Sequence, residues 1–541
     1  MKKYFKAKAS PHFQATAWKC VILTALILNI ILLTTTNKCW SVPPVPFKKG
    51  TILHFHEQSS YSKYGNMSSY KNGLPDRVLA LRVQFTDVEF DNIPDFPDST
   101  AHDSTYFERY MFHLKTYFQD MSDDNFNLEY TVSQNVYTLS NTMAYYGNDD
   151  EYKKRTAEFC KDAIELADVD YNYNDYDAII IFHAGAGQES DLNNDSPEQL
   201  WSTFFSKPDL YYGLVYEGDD EHFVEEYLNS GYEGLETDER NISEVIIMPE
   251  TANQDNPEHD KTLIFSMMGM ICHQYGHQLG LPTLFDNVKD NGRSQGIGNF
   301  GLMGTGVWNA NGYVPPYLCA WSRCKLGWEH PKTYDTNIEN IPLYAVHLTN
   351  YDDSLKLAKV PISDKEYFLL ENRQQDPNGD SVFTFELVPD QPTYPDGSPK
   401  FDFYLNSYND CEYDFFCPGF GGPEIGGKLV DGSGILIWHI DENIIDEHFT
   451  SDFLYNSVNG DASHKGVDLE EAAGIQYLDY PLTDFLNFGS PYDAYREGNY
   501  FNSESRPNSD SYYGKSNIDI HNISISDSVM YFSLSYIWYL Q

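Results

Sequence analysis

The sequence predicts two parts in series: an α/β layer in which strands and helices alternate, then a β-rich, sandwich-like part. Three observations predict this. Up to about residue 335, short β-branched apolar runs alternate with segments of helical periodicity. Beyond it that periodicity is scarce, and Tyr-, Phe- and Ile-rich runs are punctuated by Gly, Pro, Asn and Asp. The chain has 541 residues, 41% of them apolar, with 33 Phe and 42 Tyr, which is enough to build large cores and excludes global disorder.

Taken in order, the elements begin after a leader. Lys2, Lys3, Lys6, Lys8 and Lys19 precede the apolar run CVILTALILNIILL at 20–33. At 14 residues this run falls short of the roughly 20 that a spanning helix needs and suits a signal-peptide core. Residues 1–41 are therefore read as a signal peptide or, alternatively, an uncleaved N-terminal anchor, and 42–76 as a linker or short pro-segment. The run RVLALRVQF at 77–85 predicts a buried strand, and 104–119 and 152–168 predict amphipathic helices. The segments 177–185 and 244–250 predict further strands, and 261–280 a long apolar helix closed by Gly280. The first domain is set at 77–335 and the β-rich C-terminal domain at 336–541.

Charge narrows the partners. Lys+Arg total 36 against Asp+Glu 81, a formal net charge of −45. Such a chain does not hold nucleic acid by neutralising phosphates, and it contacts a membrane only through an uncleaved N-terminal segment. Export permits disulfides, and Cys411 and Cys417, flanking EYDFF, suit a small stapled loop. With no CxxC pair, a cysteine-based zinc site is not expected.

The chemistry concentrates in one segment. His273 and His277 lie four apart on a predicted helix, so both imidazoles leave one face, as two nitrogen ligands of a shared zinc must. The helix is otherwise apolar, and Gly280, three residues on, can turn the chain back toward a third ligand. Downstream, GIGNFGLMGTGVWN places Met303 in a glycine-flanked turn, where it could floor a metal site.

At these residues the sequence resembles the secreted metallopeptidases of the immune inhibitor A type, a metzincin-like group with the pattern H-E-x-x-H-x-x-G-x-x-D. The turn around Met303, the stretch 315–328 and the segments at 183–189, 366–374, 432–444, 464–472 and 505–514 extend the similarity over roughly 77–535. The resemblance implies a zincin-like peptidase domain, a zinc cofactor and peptide or protein ligands. It also exposes two departures. The general-base glutamate of the pattern is Gln274, and the aspartate that serves as third metal ligand is Thr283. An amide cannot carry the proton, and a threonine hydroxyl is a poor zinc ligand, so zinc binding is expected to be weakened.

Asp286, Asp290 and Asn291 offer hard oxygens of the kind calcium takes, with a solvated or capped loop as the competing reading. The sequence thus points to a secreted or cell-surface member of a metallopeptidase family. It reads as a catalytically impaired pseudo-peptidase that binds peptides or proteins. The alternative is an active zinc endopeptidase with an atypical site.

Overall fold

The computed structural model describes residues 75–91, 101–191, 196–252, 266–288, 294–348, 355–379, 412–418, 431–479 and 489–537. The leader and nearly all of the segment at 42–76 lie outside them, as do Asp290, Asn291 and Cys411. Among the described residues no helix is long and apolar enough to cross a membrane.

The first part is built on a five-stranded sheet with the order β2-β1-β3-β5-β4. Its strands are β1 (Asp76–Gln84), β2 (Leu128–Thr138), β3 (Ala178–Ala186), β4 (Thr203–Phe205) and β5 (Val245–Thr251). All neighbours are parallel except β4, which closes one edge antiparallel to β5. The central strands are apolar on both faces because both faces are covered. Val78, Ala80, Ile180, Phe182, Ile246 and Met248 point into one core, with Phe107, Met111, Leu114 and Phe118 of helix α1 (Ser104–Met121). Their alternating neighbours Leu79, Leu81, Val83, Ile179, Ile181, Val245 and Ile247 point into the other. There they meet Phe159, Cys160, Ala163 and Ile164 of helix α2 (Tyr152–Ala167). Asp103 starts α1 cleanly, its carboxylate accepting the N–H groups of Thr105 and Tyr106.

The helix α3 (Met268–Gln278) packs into the first core and is buried from Met268 to His277. Of the 261–280 expected from the apolar run, 261–265 lie outside the described residues, and the described helix begins at Met268. At its start Ser266 Oγ accepts the Met268 N–H at 3.1 Å, a local bond that competes with a further helical turn. At its end Gly280, at φ +88°, takes the left-handed position, with Gly280 N–H on His277 O and Leu281 N–H on Gly276 O.

The second part is β-rich. One sheet runs β11-β10-β9-β8-β6, and a three-stranded sheet runs β12-β13-β7. The first comprises β6 (Lys332–Thr333), β8 (Leu357–Pro361), β9 (Glu366–Arg373), β10 (Gly434–Asp441) and β11 (Val467–Leu469). The second comprises β7 (Ile338–Tyr344), β12 (Ile518–His521) and β13 (Val529–Tyr536). Phe368, Leu370, Ile435 and Ile437 face Leu343, Ile520, Phe532 and Leu534 across a shared core, so the two sheets stack. The other faces of β9 and β10, with Tyr367, Leu369, Leu436 and Trp438, join the same core as α1 and α3. That core is therefore continuous across position 335.

Two buried ionic networks hold this region. In one, Glu371 of β9 accepts from Arg323 at 2.7 Å, Arg373 at 3.1 Å and Trp438 Nε1 at 2.8 Å, while Arg373 also grips Asp414. In the other, His439 bonds Glu366 at 2.9 Å and Glu470 at 3.0 Å. Burial opposes its charge, but the bonds to Glu366 and Glu470 prevail and hold His439 up at about 9. The folded protein thus keeps a proton that an unfolded histidine releases near pH 6.5. This stabilisation is complete below about 6.5 and disappears as the pH rises through about 9. The midpoint of thermal unfolding is expected to fall between pH 7 and 10, with His439→Gln flattening that part of the profile. The effect is on the order of 3 kcal/mol. Parallel profiles for the two proteins would exclude it.

His439 and Asp441 are structural residues in this arrangement. Asp441 caps the helix that follows β10 and accepts from His464 at 2.8 Å and Tyr513 at 2.8 Å. Among the described residues the cysteines 160, 272, 319, 324 and 417 form no disulfide with one another. Cys417, half of the stapled loop expected from sequence, is buried, and burial pushes its thiol well up. Its suggested partner Cys411 lies outside the described residues.

Candidate functional site

The helix α3 carries His273 and His277 on one face, their ring centroids 4.8 Å apart and nearly perpendicular. Each ring is oriented by a backbone carbonyl: His273 Nδ1 lies 2.9 Å from Leu302 O, and His277 Nδ1 lies 2.8 Å from Leu281 O. A carbonyl only accepts, so Nδ1 carries the proton in both rings and the lone pair sits on Nε2. Backbone support at one ring nitrogen is how proteins present the other to a metal. His273 Nε2 is buried with no hydrogen-bond partner among the described residues. Burial pushes His273 down to about 4 and His277 down to about 3, so both are neutral near pH 7.

The supporting carbonyls come from the two turns singled out in the sequence. Leu281 follows the glycine that ends α3, and Leu302 precedes Met303. Met303 is buried against α3, and a Cβ at Gly276 would lie 2.6 Å from its sulfur, so a side chain there would push Met303 out of this position. Met303 thus packs against the helix at Gly276, the residue before His277.

The remaining predicted residues are placed as follows. Gln274 is buried, its Nε2 donating to Ser202 O at 3.2 Å and its Oε1 left without a partner among the described residues. Thr283 is buried, its N–H donating to Asn456 Oδ1 at 2.9 Å. Asp286 holds a turn, its Oδ1 accepting the Val288 N–H at 3.0 Å, and burial pushes its carboxyl up to about 6. Among the described residues no group of three or more His, Cys, Asp or Glu gathers as a metal-holding set. The side chains present fit two nitrogen donors and leave the third protein anchor unfilled.

Five further participants were not assigned a role from the sequence. Glu189 accepts Ser202 Oγ at 2.6 Å and Ser202 N–H at 3.1 Å, and so fixes the residue whose carbonyl holds Gln274. Phe204 of the edge strand β4 packs 6.0 Å from the His277 ring, and Phe285 stacks on His273 at 6.4 Å. From the second part, Phe453 stands edge-on to His277 at 5.6 Å. Asn456 secures the Thr283 backbone from 173 positions away, so local pattern could not reveal it.

A paired-histidine helix, a glycine turn and a methionine turn packed against it define a metallopeptidase-type site. Residues 247–328 match the family model described as immune inhibitor A peptidase M6, catalytic domain. The segment that carries the paired histidines and the methionine turn is thus similar to the catalytic domain of the immune inhibitor A type of metallopeptidase. The chain is also similar to the pre-pro-metalloprotease PrtV of Vibrio cholerae serotype O1. The strain M66-2 and El Tor Inaba N16961 proteins each show 24% identity over an alignment of 303 residues, covering 46% of this chain and 29% of the relative. The chain therefore spans less than a third of the length of those relatives.

Proposed function

We propose that this chain is an exported, zincin-like member of that family that has lost efficient proteolysis and retains a cleft for peptide. One observation carries the reading: at the position of the general base stands Gln274, its amide tied to Ser202 O. A glutamine in that place accepts a hydrogen bond from water but cannot take its proton, and losing a general base costs about 10² to 10⁴ in rate. Thr283 compounds the loss, because it leaves His273 and His277 as the anchors for zinc. When bound, zinc polarises the scissile carbonyl and activates water. The contribution of this chain is to orient two neutral imidazoles and to exclude bulk water with Phe204 and Phe285.

Zinc analysis beside a casein digestion tests this reading. The purified protein is expected to lose zinc on dialysis against a mild chelator and to leave casein intact. Zinc taken up from excess metal should disappear in His277→Ala. About one tightly held zinc with chelator-sensitive cleavage would sink the reading.

A further inference from the structure

Phe453 is a large aromatic residue at φ +59°, in the left-handed region that such side chains rarely adopt. The loop around it is tied to hold it there. Phe453 N–H donates to Thr450 O at 2.9 Å, Thr450 N–H to Tyr455 O at 3.0 Å, and Tyr455 N–H to Thr450 Oγ1 at 3.1 Å. The next residues fasten the loop to the zinc-motif segment, Asn456 through Thr283 and Asn287, and Asn459 through Leu284 O at 3.0 Å. The outcome of this restraint is the position of one ring. It lies 4.9 Å from Phe204, 5.6 Å from His277 and 5.5 Å from Phe449. Phe453 is only half-buried, whereas Phe204 and His277 are buried, so it closes the pocket from the solvent side.

We infer that Phe453 sets the side-chain preference of the cleft, its ring filling the apolar pocket between Phe204 and His277 that a bulky side chain of a bound peptide would otherwise occupy. The inference rests on the reading of the cleft as a peptide site. With Phe453 in place the cleft takes a small side chain beside His277. Shortening Phe453 opens room bounded by two aromatic rings and a neutral imidazole, surroundings that favour an aromatic guest.

The test uses the full chain, Phe453→Ala and Phe453→Gly, the second of which also relieves the left-handed backbone. Binding of N-acetyl-L-phenylalaninamide and N-acetyl-L-alaninamide is measured by ligand-observed NMR. Both variants are expected to gain about tenfold or more in affinity for the phenylalanine amide, the scale of burying one aromatic side chain. The alanine amide should gain nothing. Equal binding of the phenylalanine amide by natural and variant proteins overturns the inference, as does no gain in either folded variant. If both variants unfold, Phe453 is a core residue and the inference falls as well. The readout needs neither zinc nor cleavage. A gain in a protein that fails to bind zinc keeps the inference and removes the metal-based reading. Zinc binding through His273 and His277 without any gain does the reverse.

Discussion

Gln274→Glu combined with Thr283→Asp is expected to raise casein hydrolysis about 10²- to 10⁴-fold in the presence of zinc, and a chelator should abolish the gain. The change at 274 is nearly isosteric, and the buried Gln274 Oε1 makes no hydrogen bond that a carboxylate would break. What changes is the other atom. The amide Nε2 donates to Ser202 O, and a carboxylate oxygen there would face another oxygen. That repulsion drives the carboxylate off the Ser202 carbonyl or raises its affinity for a proton, and both suit a general base. Aspartate at 283 supplies the missing anionic anchor on a backbone already held by Asn456. Gln274→Glu alone should gain less, because two imidazoles hold zinc poorly. If the double variant binds about one zinc and remains inert, the defect lies elsewhere and the substitutions at 274 and 283 do not explain it.

The second large effect concerns stability. Glu371→Leu should destabilise the protein by about 3–5 kcal/mol, read from urea unfolding. Glu371 is fully buried; burial disfavours its charge, but the Arg323 and Arg373 guanidiniums hold its carboxyl below the usual range. Leucine would fill the volume yet leave the two arginines without their shared counter-ion, and Trp438 Nε1 without its acceptor. Glu329 and Asp414 would still neutralise part of that charge, which places the loss within this range rather than above it. Glu371→Gln, which retains an acceptor, should cost less. A loss below about 1 kcal/mol for Glu371→Leu would show the network to be dispensable.

Much of this was legible locally. The strands at 77–85, 177–185 and 244–250 and the helices at 104–119 and 152–168 appear within a few residues of their expected bounds, because continuous apolar runs and 3.6-residue periodicity are local properties. The facing histidines, Gly280 and Met303 were legible for the same reason: their spacing is their geometry. The start of α3 at Met268 rather than at Ser266 was not, since apolar composition cannot distinguish a buried helix from the two buried residues before it. Phe204, Phe453 and Asn456 were illegible because each acquires its role from a partner far along the chain. The polarity of His439 gave no hint that two glutamates, 73 and 31 positions away, would hold it charged.

The loop bearing Phe453 and Asn456 also constrains the order in which the molecule can mature. Its contacts with the zinc-motif segment span 173 and 175 positions, and the outer sheet pairs β7 with β13, so Tyr344 lies opposite Val529. While the chain is being synthesised, the histidine helix can settle on its sheet long before the wall beside it exists. Until the last strands emerge, the apolar face of β9 and β10 that packs against β12 and β13 stands open. A nascent chain halted at that stage would display that apolar face uncovered, which makes this interval the one in which it most needs a chaperone and is most vulnerable to proteases.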